Sequence, residues 1–263
     1  MPIECPIQFP KVEREAFRKL DYQVMHLAFE SHRHLGKNCD EVIYHNDLAA
    51  RLNGAGLIPS LVEVEVRVRH GSFVKEYWID LIPAGQAIYE LKSAVAITPS
   101  HESQTMNYLM LANCEHGKLV NFGSTSVDSR FINNPVPREA RYRFETVTTS
   151  WQGPDTLLKA LVLFIEDIGL FLEAPLYNQA LVHHLGGPEH ALERRPMTLN
   201  GCQLGNQTFQ MCSPDQAFRV TTLNQRLQAQ RTSFEKLLAL SDLQALHWIN
   251  LNHHKIEFTT LRK

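Results

Sequence analysis

The sequence predicts an α/β protein, built from small mixed sheets with helices packed on them. Three observations carry that prediction. Apolar residues recur first at helical spacing and then with strand alternation. The two patterns occur in each half of the 263 residues. The composition, 44% hydrophobic and 21% charged, is that of a globular chain and excludes a disordered, collagenous or coiled-coil one.

The elements follow in order. From Glu15 to Leu35, residues Phe17, Leu20, Val24, Leu27, Ser31 and Leu35 fall at helical spacing, and Gly36 is a natural stop. Asp40 can cap a second helix whose Tyr44, Leu48 and Leu52 form an i, i+4 stripe ending near Gly54 and Gly56. Val62 to Arg69 alternates as a strand, His70-Gly71-Ser72 reads as a turn, and Val74 to Ile82 and Ala87 to Leu91 read as two further strands. Thr98-Pro99 is a good N-cap and N1 pair for a helix reaching about Cys114. Leu119 to Phe122 closes the half as a short strand, giving the order ααβββαβ. Asn133-Asn134-Pro135-Val136-Pro137 punctuates the chain as a linker. From about Thr146 the pattern runs helix, strands, helix, strand. The most apolar stretch, Leu157 to Tyr177, is broken by Glu166, Asp167 and Glu173, which suits an amphipathic or buried helix and no membrane span.

The two halves share spacings. Gly36, Tyr44, Leu48, Leu52 and Gly54 meet Gly169, Tyr177, Leu181, Leu185 and Gly187 at a difference of 133 (169 − 36). Gly71, Gln86 and Ala87 meet Gly201, Gln216 and Ala217 at 130 (201 − 71), and Val120-Asn121 and Val127 meet Ile249-Asn250 and Ile256 at 129 (250 − 121). A difference that drifts by small steps is what loop deletions in a duplicated domain produce.

The residues suited to chemistry lie in the first half. Glu90 and Lys92 are two apart in a strand and share a face, with Leu91 on the other. A hairpin closing symmetrically around Gly85 places Asp80 opposite Glu90, where like charges repel. Facing carboxylates beside a lysine fit a hard divalent cation with a bound water. An exposed face with an ion pair is the blander reading. It is disfavoured by the flanking Tyr77, Trp78, Ile79, Leu81, Ile82, Ile88, Tyr89 and Leu91, the most apolar strand residues of the half. Gln104 and Tyr108, an i, i+4 pair on the following helix, can orient a phosphate, a water or the lysine.

The segment from about Val24 to Phe122 resembles the GxxExxY protein family, within the PD-(D/E)XK nuclease superfamily. The matching runs are Glu30-Ser31-His32-Arg33-His34-Leu35-Gly36, Glu41-Val42-Ile43-Tyr44, Asp80, Glu90-Leu91-Lys92, Thr98-Pro99, Gln104 to Leu109 and Asn121-Phe122-Gly123. The resemblance implies a restriction-endonuclease-like core and a metal-dependent phosphodiesterase site. Asp80, Glu90 and the backbone carbonyl of Leu91 would bind Mg²⁺ or Mn²⁺. Lys92 would position or deprotonate the attacking water and offset charge on the phosphorane. Glu30 resembles the extra acidic residue that reaches the metal or its water. Gln104 and Tyr108 match the QxxxY motif of RecB-type nucleases, many of which act on DNA ends.

Two departures stand out. The family's eponymous glycine falls at Asn38, which tolerates left-handed backbone nearly as well as any residue except Gly, so the turn is expected to be kept there. Ile79 replaces the superfamily's proline before Asp80. Glu41 and Tyr44 name the family, and the sequence supplies no role for them beyond helix packing.

In the second half no ligand survives. Asp80, Glu90 and Lys92 fall on Gln210, Val220 and Thr222, and Glu30, Gln104 and Tyr108 on Leu163, Ser233 and Leu237. The expected organisation is therefore a nuclease-like domain over residues 1–135 and a degenerate copy over 146–263, a pseudo-dimer within one chain. The pairs His32 with His34, His183 with His184 and His190, and His253 with His254 lack the spacing of a zinc set, and the five cysteines show no CxxC. Charge argues for modest, salt-dependent DNA affinity, since residues 1–135 hold 13 Lys+Arg against 16 Asp+Glu. The N-terminal residues lack a signal-peptide pattern, which leads to the expectation of a soluble cytoplasmic protein. A DNA nuclease is the leading reading. The alternative is a non-catalytic nucleic-acid- or protein-binding module that keeps the fold.

Overall fold

The computed structural model describes residues 2–263. Contacts divide the chain into two units, one of residues 1–69 and 74–138, the other of residues 70–73 and 139–263. The first runs β1 (Ile3–Glu4), α1 (Arg14–Leu35), α2 (Glu41–Gly54), β2 (Leu61–His70), β3 (Phe73–Ile82), β4 (Ile88–Lys92), α3 (Pro99–Ala112), β5 (His116–Asn121) and β6 (Asp128–Asn133). The second runs β7 (Glu145–Ser150), α4 (Asp155–Ile168), α5 (Ala174–His184), α6 (Pro188–Ala191), β8 (Leu192–Leu199), β9 (Cys202–Ser213), β10 (Gln216–Thr221), α7 (Leu227–Leu240), β11 (Ala245–Asn252) and β12 (Lys255–Arg262). Each unit is a six-stranded mixed sheet with helices, so the α/β class and its mixed sheets hold. Strands β1 and β6 were not expected. The first is only two residues long, and β6 is largely exposed, so neither carries a clear apolar pattern.

In the first unit the sheet order is β1-β2-β3-β4-β5-β6, with β4 antiparallel to β3 and parallel to β5. The crossover from β4 to β5 is α3, whose N-terminus is closed by a reciprocal Thr98–His101 capping box with Pro99 in its first turn. Tyr89 and Leu91 of β4 pack with Phe17, Leu20, Val24, Tyr44 and Leu48 of α1 and α2. Strand alternation then turns Glu90 to the opposite face, where Leu109 of α3 packs closely against Gly117. Beneath α1, Tyr89 donates to Asp21 (3.0 Å), and Asp21 also holds the buried Lys118 ammonium at 2.7 Å.

The Leu157–Tyr177 stretch is two helices, not one. Gly169 takes φ +88 and ends α4, and α5 begins at Ala174. Trp248 is buried, whereas Trp78 on β3 is 44% exposed and so lies outside the core.

The spacings shared by the halves coincide with shared contacts. The Tyr44 hydroxyl donates to the Gly36 carbonyl (2.7 Å) and accepts from the Cys39 N–H (3.3 Å). The Tyr177 hydroxyl donates to the Gly169 carbonyl (2.9 Å) and accepts from the Leu172 N–H (3.2 Å). Likewise the Asn121 amide spans the backbone N–H and carbonyl of Ala94 (2.9 and 2.8 Å), as Asn250 does those of Leu223 (both 2.9 Å).

Strand register corrects one part of the correspondence. Lys92 pairs with Asn121 and Thr221 with Asn250, so Lys92 matches Thr221 and Glu90 matches Arg219, each one residue from the position expected. Leu81 opposes Tyr89 and Gln210 opposes Phe218, which moves the counterpart of Asp80 to Phe209. The hairpin turns differ in length, Ile82 to Ile88 against Ser213 to Gln216, so residues matched across a turn slip out of step with the strands.

Candidate metal centre

Strand β4 delivers Glu90, fully buried, and Lys92 at its half-open end. Strand β3 delivers Asp80, whose Oδ2 accepts the Leu91 backbone N–H at 2.8 Å, so the symmetric hairpin reading is right about this neighbourhood. The Lys92 ammonium lies 2.8 Å from Glu90 Oε1, 3.2 Å from Glu41 Oε1 and 3.6 Å from Asp80 Oδ2. Lys92 is thus the cation paired with Glu90 Oε1, and Glu90 Oε2 lacks a hydrogen-bond donor.

Burial, and then the neighbouring Asp80 carboxylate, push Glu90 up to about 8, with Lys92 pulling against them. Asp80 is raised as well, again mainly by burial. Lys92 is held above the usual lysine range because the attraction of Glu90 and Asp80 outweighs its own desolvation. Two neighbouring buried carboxylates served by one ammonium are costly to ionise, and a further cation between them would lower that cost.

Helix α2 completes the cluster. Its Glu41 and His45 are one turn apart, and together with Asp80 they present ligand atoms within 4.8 Å of one another. His45 is buried, and its Nε2 has no hydrogen-bond partner. Glu41 also accepts the Ser93 N–H at 3.3 Å, so it fixes the segment that follows Lys92. This donor set of carboxylates with one imidazole fits a divalent cation.

Of the residues expected at the site, Asp80, Glu90 and Lys92 come together. Leu91 contributes its N–H to Asp80. Gln104 donates to the Tyr108 hydroxyl at 3.1 Å, and Tyr108 lies close enough to feel Glu90 and Asp80, which with burial raise it to about 12. Glu30 is not brought to the cluster. Its carboxylate lies near Arg33 (3.7 Å), Arg51 (3.8 Å) and the His26 ring (3.5 Å), away from the cluster.

Glu41 takes the place expected for Glu30, and His45 was missed. The available signal was the i, i+4 spacing of Glu41 and His45, with Tyr44 and Leu48 marking the core side of the same helix. The turn expected around Asn38 lies between α1 and α2, and its positive-φ residue is Gly36, with φ +72, whose carbonyl Tyr44 clamps. Tyr44 also stacks on Phe122 at 4.5 Å, and Gly123 lies so close to the backbone of Ala94 that a Cβ would not fit. These contacts set the Lys92-to-Ala94 segment. Among the described residues no other group of three His, Cys, Asp or Glu side chains is placed to share an ion. The paired histidines make separate contacts, His32 to the Ser124 carbonyl and His254 to the Arg143 carbonyl.

A family model of the PD-(D/E)XK nuclease superfamily matches residues 18–132. No curated protein matches the sequence. A solved structure described as "Crystal structure of SSO0001" is 18% identical, with 48% of this chain and 62% of that chain covered and a TM-score of 0.28. This chain thus spans less than two thirds of that protein, and a likeness at that score carries no argument. No helix among the described residues is long and apolar enough to cross a membrane.

Proposed function

We propose that residues 1–135 form a metal-dependent nuclease that hydrolyses DNA phosphodiester bonds, of the GxxExxY, RecB-like QxxxY kind. Residues 146–263 would be a degenerate nuclease-like domain acting as its built-in partner. The observation that carries the reading is the fully buried Glu90 carboxylate, paired with Lys92 at one oxygen, without a donor at the other, and beside Asp80.

Asp80, Glu90, Glu41, His45 and the Leu91 carbonyl would hold the ion, Mn²⁺ in preference to Mg²⁺ because imidazole is a poor ligand for Mg²⁺. When bound, Mg²⁺ or Mn²⁺ supplies Lewis acidity and lowers the pKa of a water. Lys92, kept protonated by its carboxylate neighbours, suits the offsetting of charge on the phosphate better than proton abstraction. Tyr108 accepts from Gln104, keeps its own proton, and is free to donate it to a phosphate oxygen.

One observation favours the non-catalytic alternative. Arg67, Arg69 and Arg195 are tied to Glu65 and Glu76, to Glu4, and to Glu193 and Asp242, so these three arginines are already engaged with carboxylates that compete with phosphates. Incubation with linear duplex, circular plasmid and labelled single strands decides between the readings. Cleavage that needs Mn²⁺ or Mg²⁺ and falls by at least about 10³-fold in both Asp80→Ala and Lys92→Ala supports the nuclease. Sparing of circles would add dependence on an end. No cleavage of any substrate would select the binding module.

A further inference from the structure

One contact at the cluster is not used by the proposed chemistry. Glu63 of β2 places Oε1 3.0 Å from His45 Nδ1. An ionised carboxylate only accepts, so Nδ1 carries the proton of this bond. The other ring nitrogen, Nε2, lies 3.7 Å from Asp80 Oδ2 and 4.0 Å from Glu41 Oε1. Both separations are too long for a hydrogen bond, and the buried nitrogen has no partner.

The backbone at Glu63 is unusual too. Its φ is +51 inside a strand, a left-handed conformation that a glutamate adopts only at a cost. Held strain of this kind collects where a side chain must be aimed. The second unit offers an internal comparison. Asn178 stands 133 residues after His45, the same difference that relates Tyr177 to Tyr44. Its amide bonds the Val220 N–H (3.0 Å) and carbonyl (2.9 Å), leaving no ring nitrogen in a unit without the carboxylates.

Resting on the metal reading above, we infer that Glu63 is a positioning residue. It fixes His45 in the tautomer protonated at Nδ1, so that the Nε2 lone pair faces a divalent cation shared with Asp80 and Glu41. A carboxylate behind a ligating imidazole orients the ring and raises its basicity, and losing such a partner typically weakens metal binding about 10- to 100-fold.

Calorimetric titration of the full chain with Mn²⁺ tests the inference without reading activity. Glu63→Ala should bind Mn²⁺ about 10- to 100-fold more weakly. Glu63→Gln, whose amide oxygen still accepts from Nδ1, should stay near the wild type. In a His45→Ala background, Glu63→Ala should weaken binding no further. Equal affinity in Glu63→Ala and wild type, a Gln variant as weak as the Ala variant, or an undiminished effect without His45 would overturn the inference while leaving the metal site standing. A wild-type chain that binds no Mn²⁺ would overturn the metal reading and this inference with it.

Discussion

Glu90 shows how a single residue ties stability to the proposed chemistry. Its carboxyl is raised by folding toward about 8 from an ordinary value of 4.5, and Asp80 is raised in the same direction. Folding therefore favours the protonated carboxyl. That contribution is complete below the unfolded value and is lost as pH climbs through the folded one. The metal-free chain should thus show a Tm that falls from about pH 5 toward about 8, the range spanned by the two values. Lys92 acts only at far higher pH, since its shift begins from 10.5. Glu90→Gln, and saturating Mn²⁺ in the wild type, should each flatten the fall. A flat metal-free profile in the wild type would show that Glu90 is ionised throughout. At this scale Asp80, Glu90 and Lys92 were legible because charges in strongly apolar strands need a reason. His45 was not, because a lone histidine on a helix has the same spacing whether it meets solvent or an ion.

At the scale of elements, the tyrosine clamps join α1 to α2 and α4 to α5. Each hydroxyl closes the turn by donating to a glycine carbonyl and accepting an N–H, at Gly36 and Cys39 in one unit and at Gly169 and Leu172 in the other. Tyr177→Phe should cost about 1–3 kcal/mol in denaturant unfolding, because a buried N–H and carbonyl lose their partner, and Tyr44→Phe should cost less, because Gly36 is exposed and Cys39 half-buried. Unchanged midpoints would mean that water replaces the hydroxyl. The helices and central strands were legible from periodicity and caps, Thr98-Pro99 above all. The slip in the β10 correspondence was not, because register is fixed by hydrogen bonding between strands and the two hairpin turns differ in length.

For the whole molecule, the two units repeat the tyrosine and asparagine contacts, and only the first has the candidate carboxylate and imidazole cluster. At the places of Asp80, Glu90 and Lys92 the second unit has Phe209, Arg219 and Thr221, and none of these is a carboxylate. Mn²⁺ binding to the full chain should therefore vanish in the Asp80→Ala/Glu90→Ala double variant. Binding that persists at wild-type affinity would locate a site elsewhere and remove the case for a degenerate copy.

By itself the sequence determined the α/β class, the spacings that the two halves share and the strand carboxylates with their lysine, because periodicity, glycine stops and charge in apolar strands are local properties of the chain. Only the tertiary structure decided that Glu41 and His45, not Glu30, join them. Helix α2 brings Glu41 to Lys92 and Ser93 at the end of β4 and His45 to within 3.7 Å of Asp80 on β3, while the Glu30 carboxylate lies against Arg33 and Arg51. Which acid reaches a site depends on how helices pack over a sheet, and that packing is set by contacts far apart in the chain.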